Sequence, residues 1–525
     1  MNPQKGSNKM NFNKKLAVAV SGAVLLMAGQ TVQADSTTDI VDALVMKGIL
    51  TEEEGKLINK GHTSKTKVAP VVKEKDGAFI LESANEANSI QLTGRMHLDY
   101  RASSVDPVDT GGRADDKDTS SLADQFELRR ARLGVKGKLA KDFKYEVVGN
   151  LPGTATVDVA YADWAKYDQF QIRAGKFKQP FGLEELISSN NITMMERSYL
   201  DQTVPAKKIG MQVMGAPTKG MTYALSGFQY NDTALDVYGD GIMSGAGRVT
   251  FNFAEAMGDK ENVLHLGLAG LNGQYSVRGS GTGNTSSSAD GANTSRATIS
   301  SFRSAGRGIA NIFRGQVGVV PCTTPSLYSC PSEYGAKVQQ KAFGLEGIFA
   351  RGPFKLMGEY SNGEYSAESY QNNTSYDTKT YYLEAGYFIT GEKYADSYKG
   401  GVFGSFKPKN NFDLDNNQWG AVELALRIDG FNVDDVVLTA NNGSTLTSRI
   451  QGSTSGDGLS SGQKAGATTY TAGLRWILNP NVVFKVNYAY TKMDYLFKPI
   501  DVIASTALNN IDSESLLMTR LQYMF

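Results

Sequence analysis

The sequence predicts an all-β fold: a transmembrane antiparallel β-barrel of 16 strands, with 18 as the alternative, behind a short N-terminal helical periplasmic segment. Three observations predict it. Hydrophobicity alternates with a period of two over stretches of about 9–11 residues, the length that crosses a bilayer at a tilt. Aromatic residues sit near the ends of those stretches, as an interfacial girdle requires. The chain also finishes in such a stretch, with Phe525 last.

Composition agrees. Gly (56), Tyr (25) and Phe (23) are plentiful, while Pro (14) and Trp (3) are scarce, and mean hydropathy is −0.31. That balance fits many short strands joined by loops. A soluble sandwich alternates too. Strand length and end aromatics favour the closed barrel, the one sheet that enters lipid without an unpaired edge.

Residues 1–34 read as an export signal. Lys14 and Lys15 precede the apolar run Leu16–Ala28, and Val32-Gln33-Ala34 supplies small residues for cleavage after Ala34. A retained anchor helix is the alternative. Removing this segment takes away four lysines and no acid, so the mature chain sits near −4 although the whole chain is balanced at 54 Lys+Arg against 54 Asp+Glu. Any preference for anions must therefore come from where charge is placed.

Residues 35–77 form the helical segment and linker. Ile40, Val41, Leu44 and Val45 share a helical face, Gly48 ends that helix, and Thr51 with Glu54 makes a capping box for a second. The barrel domain spans 78–525, or about 28 residues per strand and connection for an even count of 16.

Four stretches display the alternation. In "IQLTGRMHLDYR" (90–101), Ile90, Leu92, Met96, Leu98 and Tyr100 oppose Gln91, Thr93, Arg95, His97, Asp99 and Arg101. Val422, Leu424, Leu426 and Ile428 oppose Glu423, Arg427 and Asp429; Phe484, Val486 and Tyr488 oppose Lys485 and Asn487. Leu517, Leu521, Tyr523 and Phe525 oppose Arg520 and Gln522. Long Gly/Ser/Asn/Thr segments at 102–122, 272–335, 365–379 and 441–467 read as outward loops, and "LNPN" (478–481) as a tight periplasmic turn.

Several blocks together resemble the phosphate-selective porins of the O/P family. They are "LTGRMHLDYR" (92–101), "FELRRARLGVKGKLAKDFKYEV" (126–147), "IRAGKFKQPFGLEELISSNNITMMERS" (172–198), "KKIGMQVMG" (207–215), "WGAVELALRIDGF" (419–431) and "YTAGLRWILNPNVVFKVNYAYT" (470–491). The resemblance implies a 16-stranded homotrimeric barrel in the outer membrane, with an Arg- and Lys-lined pathway for inorganic anions such as phosphate.

Strand parity nominates the residues of that pathway. Ala131, Leu133, Val135 and Leu139 share the lipid-facing parity, which turns Arg130, Arg132, Lys136 and Lys138 to the lumen. Phe126 and Leu128 break this parity, so the face of Arg129 depends on a bulge or bend beside it. Arg95 and Arg173 take the lumen parity of their own strands. Lys176 and Lys178 belong to the strand end before Pro180.

Pro180 cannot continue a central ladder, and Gly182 gives the backbone freedom to bend inward. Residues 183–208 then have the length of a constriction loop, with Arg197 its candidate cation among mixed charges. A second candidate is the loop 278–314, where Arg278, Arg296, Arg303, Arg307 and Arg314 face one acid, Asp290. Folded inward, it would form an arginine funnel; solvated, it would be an ordinary surface loop.

Arg suits such a wall because its fork donates several hydrogen bonds to an oxyanion and stays charged. Enzyme signals are poor. His62, His97 and His265 show no metal-ligand spacing, and "GLSSG" (458–462) lacks a strand–turn–helix setting. No catalytic residue, metal, cofactor or nucleic-acid partner is expected. Cys322 and Cys330 read as a local disulfide in an exported protein, with two free thiols the alternative. The competing functions are a general non-selective porin and a structural or adhesive barrel whose surface loops do the work.

Overall fold

The computed structural model describes residues 41, 44–58, 70–75, 78–108, 124–230, 243–278, 295–308, 312–319, 335–369, 372–441, 464–497 and 510–525. The signal 1–34 and the pair Cys322 and Cys330 lie outside them. The chain divides into two compact units, one of residues 1–71 with 83–85 and one of 72–82 with 86–525.

In the first unit, Gly48 takes φ +71°, a left-handed stop after the helical turns at 44–46. The capping box closes as the spacing requires. Thr51 N donates to the Glu54 carboxylate at 2.9 Å, and Glu54 N donates back to Thr51 Oγ1 at 3.2 Å. Those bonds from Thr51 hold the Glu54 carboxyl below its ordinary value.

The second unit is a closed barrel of sixteen antiparallel strands. They are β1 (Ser89–Val108), β2 (Gln125–Leu139), β3 (Phe143–Asn150), β4 (Thr156–Tyr167), β5 (Phe170–Lys178), β6 (Lys207–Gly215), β7 (Met221–Gln229) and β8 (Ser244–Asn252). The circuit continues with β9 (Asn262–Arg278), β10 (Gly335–Arg351), β11 (Phe354–Ser369), β12 (Asn372–Phe388), β13 (Ala421–Ala440), β14 (Ala465–Asn479), β15 (Val482–Phe497) and β16 (Asn510–Met524). Each pairs with its sequence neighbour, and β16 returns to β1 through Leu521↔Leu98 and Leu517↔Ala102. A short strand, Ala78–Glu82, adds to the start of β1.

Parity carries into burial. Met96, Leu98, Leu424, Leu426, Leu517 and Leu521 are exposed on the outer face, while His97, Asp99, Glu423, Arg427, Asp429, Lys485 and Arg520 are buried inside. Tyr167, Phe170, Phe349, Phe354, Tyr387, Trp419 and Tyr523 are exposed at the end of the barrel with the short turns, the position of an interfacial girdle.

The wall is uneven. Strands β3 to β8 have 8–12 residues, whereas β9 to β16 have 15–20. The stretch 365–379 is therefore no loop. β11 and β12 run through it, and their inner residues Tyr365, Ala367 and Tyr376 are buried against a hairpin, Ser295–Phe302 with Phe313–Val319. Its polar residues Asn372, Thr374 and Thr378 are buried on the inner face, so the loop-like composition reflects a polar barrel interior.

Nor are all turn-side links tight. Residues 389–420 join β12 to β13 at the turn end, and this long link folds inward. Tyr394, Phe403 and Phe406 pack with Phe388 and with Leu183, Ile187 and Ile192. The Arg475 guanidinium lies over the Phe406 ring, 4.6 Å from its centroid.

Candidate functional site

The loop between β5 and β6 enters the barrel. β5 ends at Lys178, Pro180 is buried, and Gly182 takes φ +83°, where a Cβ would stand 2.8 Å from Val204. A non-glycine residue would be strained in that conformation as well as crowded. The loop then packs Leu183, Ile187, Ile192, Met194, Met195, Tyr199 and Leu200 into the interior.

Its fastenings run to the tall strands. The Glu359 carboxylate of β11 accepts from Leu183 N (2.6 Å) and Glu184 N (2.7 Å), satisfying the free amides of the short helix Leu183–Leu186. Arg427 of β13 donates to Glu184 at 3.1 Å and to the Glu196 carbonyl at 3.0 Å. Lys485 of β15 donates to the Ile192 carbonyl at 2.6 Å, and Arg475 of β14 to that of Asn191 at 2.9 Å. Glu196 gathers three guanidinium groups: Arg101 (2.9 Å), Arg129 (2.9 Å) and Arg520 (3.0 Å). Glu184 and Glu196 of the loop are thus anchors.

Beside the loop a cavity of about 1080 Å³ opens along β1, β2 and the short wall. It extends from the loop down past the turn-side residues Lys399 to Val402 of the inward link. Ten Arg or Lys side chains line it against five Asp or Glu, so its field favours anions.

The nominated cations divide sharply in role. Arg129 is the extra residue of a bulge: His97 faces Arg130, the next residue Leu98 faces Leu128, and Arg129 falls between. The bulge lets Phe126 and Leu128 face lipid while Arg129 and Arg130 both turn inward. Arg129 is then taken by Glu196. Arg130 is 7% exposed and has no carboxylate partner among the described residues; its Nε has no hydrogen-bond partner, and one Nη stands 3.5 Å from His97 Nδ1. Among the described residues, Arg95 reaches only the hydroxyls of Ser188 (3.4 Å) and Ser189 (3.1 Å).

Five other cations of the cavity have acid partners. Arg132 (2.9 Å) and Lys207 (2.5 Å) share Asp158. Arg173 forms a fork with Asp163, at 2.7 and 2.8 Å, and lies over the Tyr161 ring at 3.9 Å. Lys178 bonds the carbonyls of Glu185 and Ile187, and Arg197 pairs with Glu185 at 2.5 Å. Both therefore brace the loop.

Three nominations need correcting. Lys176 pairs with Ile209, whose side chain is exposed on the outer face, and cross-strand partners share a face. Lys136 and Lys138 share the parity of Arg130 but are exposed beside the turn 140–142, beyond the cavity lining.

The arginine-rich segment does fold inward, yet as an apolar plug. Ala297, Ile299, Phe302, Phe313 and Val317 of the hairpin pack on Tyr199, Tyr365, Tyr376 and Phe431. Arg303 is exposed and exchanges backbone hydrogen bonds with the Gln202 side chain. Arg307 approaches Glu127 at 3.8 Å. Arg314 faces Ser301 across the hairpin, Arg296 faces Gly318, and Arg278 ends β9 opposite Gly335. Arg303, Arg307 and Arg314 do not line the cavity.

Comparison with known proteins decides the family. The model of the phosphate-selective porin O and P family matches residues 90–310 and 332–525. The chain belongs to that family. It is an anion-selective porin of the bacterial outer membrane, a channel and not an enzyme. Porin O of Pseudomonas aeruginosa is similar, at 26% identity over 491 residues covering 88% of this chain and 94% of that protein. Among solved structures, in-vitro folded OmpT, an outer membrane protein of Vibrio cholerae, is 12% identical with a TM-score of 0.47, covering 84% of this porin and 98% of that chain. An anion-selective porin from Comamonas acidovorans is 11% identical with a TM-score of 0.43, covering 83% and 100%.

Proposed function

We propose that inorganic anions such as phosphate cross the outer membrane through the cavity along the short wall, with Arg95 and Arg130 as the cations that meet them. The reading rests on Arg130. A buried guanidinium lining an open cavity, without an acid and with an idle N–H, is the arrangement that a passing oxyanion completes. Arg95, with Ser188 and Ser189 beside it, offers further donors at the same cavity. Arg132 and Lys207, held by Asp158, supply a weaker positive background.

Transport here is passive. Fixed donors replace part of the ion's hydration, and charge pairs elsewhere keep the ion from binding too tightly to leave. Neutralising the double variant R95Q/R130Q removes two charges, each worth ~1 kcal/mol at 4 Å in water. The anion-over-cation permeability ratio in planar bilayers then falls on the order of tenfold. An unchanged reversal potential would refute the pathway.

We further propose export with cleavage after Ala34 and assembly as a homotrimer in outer-membrane lipid, which the family resemblance supports. Native mass spectrometry of the purified porin reads both: three copies, each beginning at Asp35. A monomer, or a chain retaining residues 1–34, counts against the corresponding statement.

A further inference from the structure

We infer that His97 is a positioning residue for anion selectivity: a neutral imidazole that holds Arg130 toward the lumen and locks it to the constriction loop. The inference rests on the pathway reading above and adds to it a residue that touches no ion.

The geometry assigns the tautomer. His97 is fully buried on the inner face of β1. Its Nδ1 stands 3.5 Å from an Arg130 Nη, and its Nε2 stands 3.1 Å from Asn190 Oδ1. A guanidinium only donates, so Nδ1 must accept; an amide oxygen only accepts, so Nε2 must carry the hydrogen. Both demands describe one neutral ring. Asn190 is itself tied, since its carbonyl accepts from Gln522 of β16 at 3.1 Å. One imidazole therefore links the β2 arginine, the β1 wall and the loop.

The charges around the ring explain why it must stay neutral. The nearby charged groups on the elements packed against it are Arg130 on β2, Arg520 on β16 and Lys485 on β15, all cations. Along its own strand, Asp99 is occupied by Arg520 and Arg101, and Arg95 is a further cation. The loop offers it an amide only. A second proton on the ring would remove the acceptor that faces Arg130 and add one more positive charge to this group.

A carboxylate at position 97 would hold Arg130 more firmly, but it would cancel the charge that the channel uses. An apolar residue would leave the charge and free the guanidinium to swing toward Glu196. A neutral acceptor keeps both orientation and charge.

The test compares four forms of the full-length porin in planar bilayers: wild type, R130Q, H97L and H97Q. The glutamine can accept from Arg130 through its oxygen and donate to Asn190 through its nitrogen; the leucine can do neither. H97L is expected to lower the anion-over-cation permeability ratio about fivefold, the factor that one hydrogen bond of ~1 kcal/mol is worth. H97Q is expected to restore most of it, and the wild-type ratio to stay flat from about pH 8 to pH 5.

R130Q separates the two readings. If R130Q leaves the ratio unchanged, the pathway reading fails. If R130Q lowers it while H97L and H97Q both match wild type, the role of His97 alone is overturned. If H97L yields no folded barrel, H97Q decides: a loss as large as that of R130Q overturns the inference. A wild-type step between pH 8 and pH 5 that disappears in H97Q overturns the neutral ring, and it needs no unstable variant to be seen.

Discussion

The two sides of this barrel spend the same residue types on opposite ends. On the tall side, Arg427, Arg475, Lys485 and Arg520 are buried and bound to the constriction loop or to acids beneath it. On β1 and β2, which face the cavity across from them, Arg95 and Arg130 meet no acid among the described residues and line that cavity. Composition alone ranks these arginines as equals. What separates them is whether a carboxylate or an inward carbonyl waits at the tip, so β13 to β16 act as scaffold and the cavity-facing wall that begins at β1 and β2 acts as path.

The sharpest way to break that contrast is to cut a tall-wall fastening. R427L leaves the buried Asp429 and Glu184 without their guanidinium, a loss of roughly 3–5 kcal/mol for one partner of a buried pair. The expected result is a lowered thermal transition together with noisy, enlarged single-channel conductance as the loop loosens. A stable channel of unchanged conductance would show that the loop is held elsewhere.

A smaller change sharpens the short side. D158N removes the acid shared by Arg132 and Lys207 and exposes their charge to the cavity. The permeability ratio should rise about twofold to fivefold, on the scale of one partly screened charge. A fall would mean that Asp158 chiefly positions its two partners. The smallest expected effect is that of K176Q: on the outer face, its loss should leave the reversal potential where it was, and a shift would return Lys176 to the lumen.

The strands were legible in the sequence because burial on one face leaves a period of two, and Pro180 with Gly182 marked the inward loop. The bulge was legible as a broken parity at Phe126 and Leu128. The inward link 389–420 was not. "YADSYKGGVFGSFKPKNNF" reads as a surface loop, and its direction is set by Phe403 and Phe406 meeting Phe388 and Arg475. The division of the arginines was equally hidden, since it depends on pairings such as Arg427 with Glu184 and Arg129 with Glu196, far apart in the chain. Local pattern gives a side chain's face; distant partners decide its job.

The bulge in β2 has a consequence for how such a channel can change over generations. With Arg129 removed, Arg130 would still face His97 and Leu128 would still face Leu98 in an unbroken ladder. No other side chain would need to change sides. Arg129 thus behaves as an insertion that carried a charge in with it, and Glu196 would keep Arg101 and Arg520 after its loss. Charge at this depth can be altered by a change of length, which leaves the lipid-facing residues of the strand untouched.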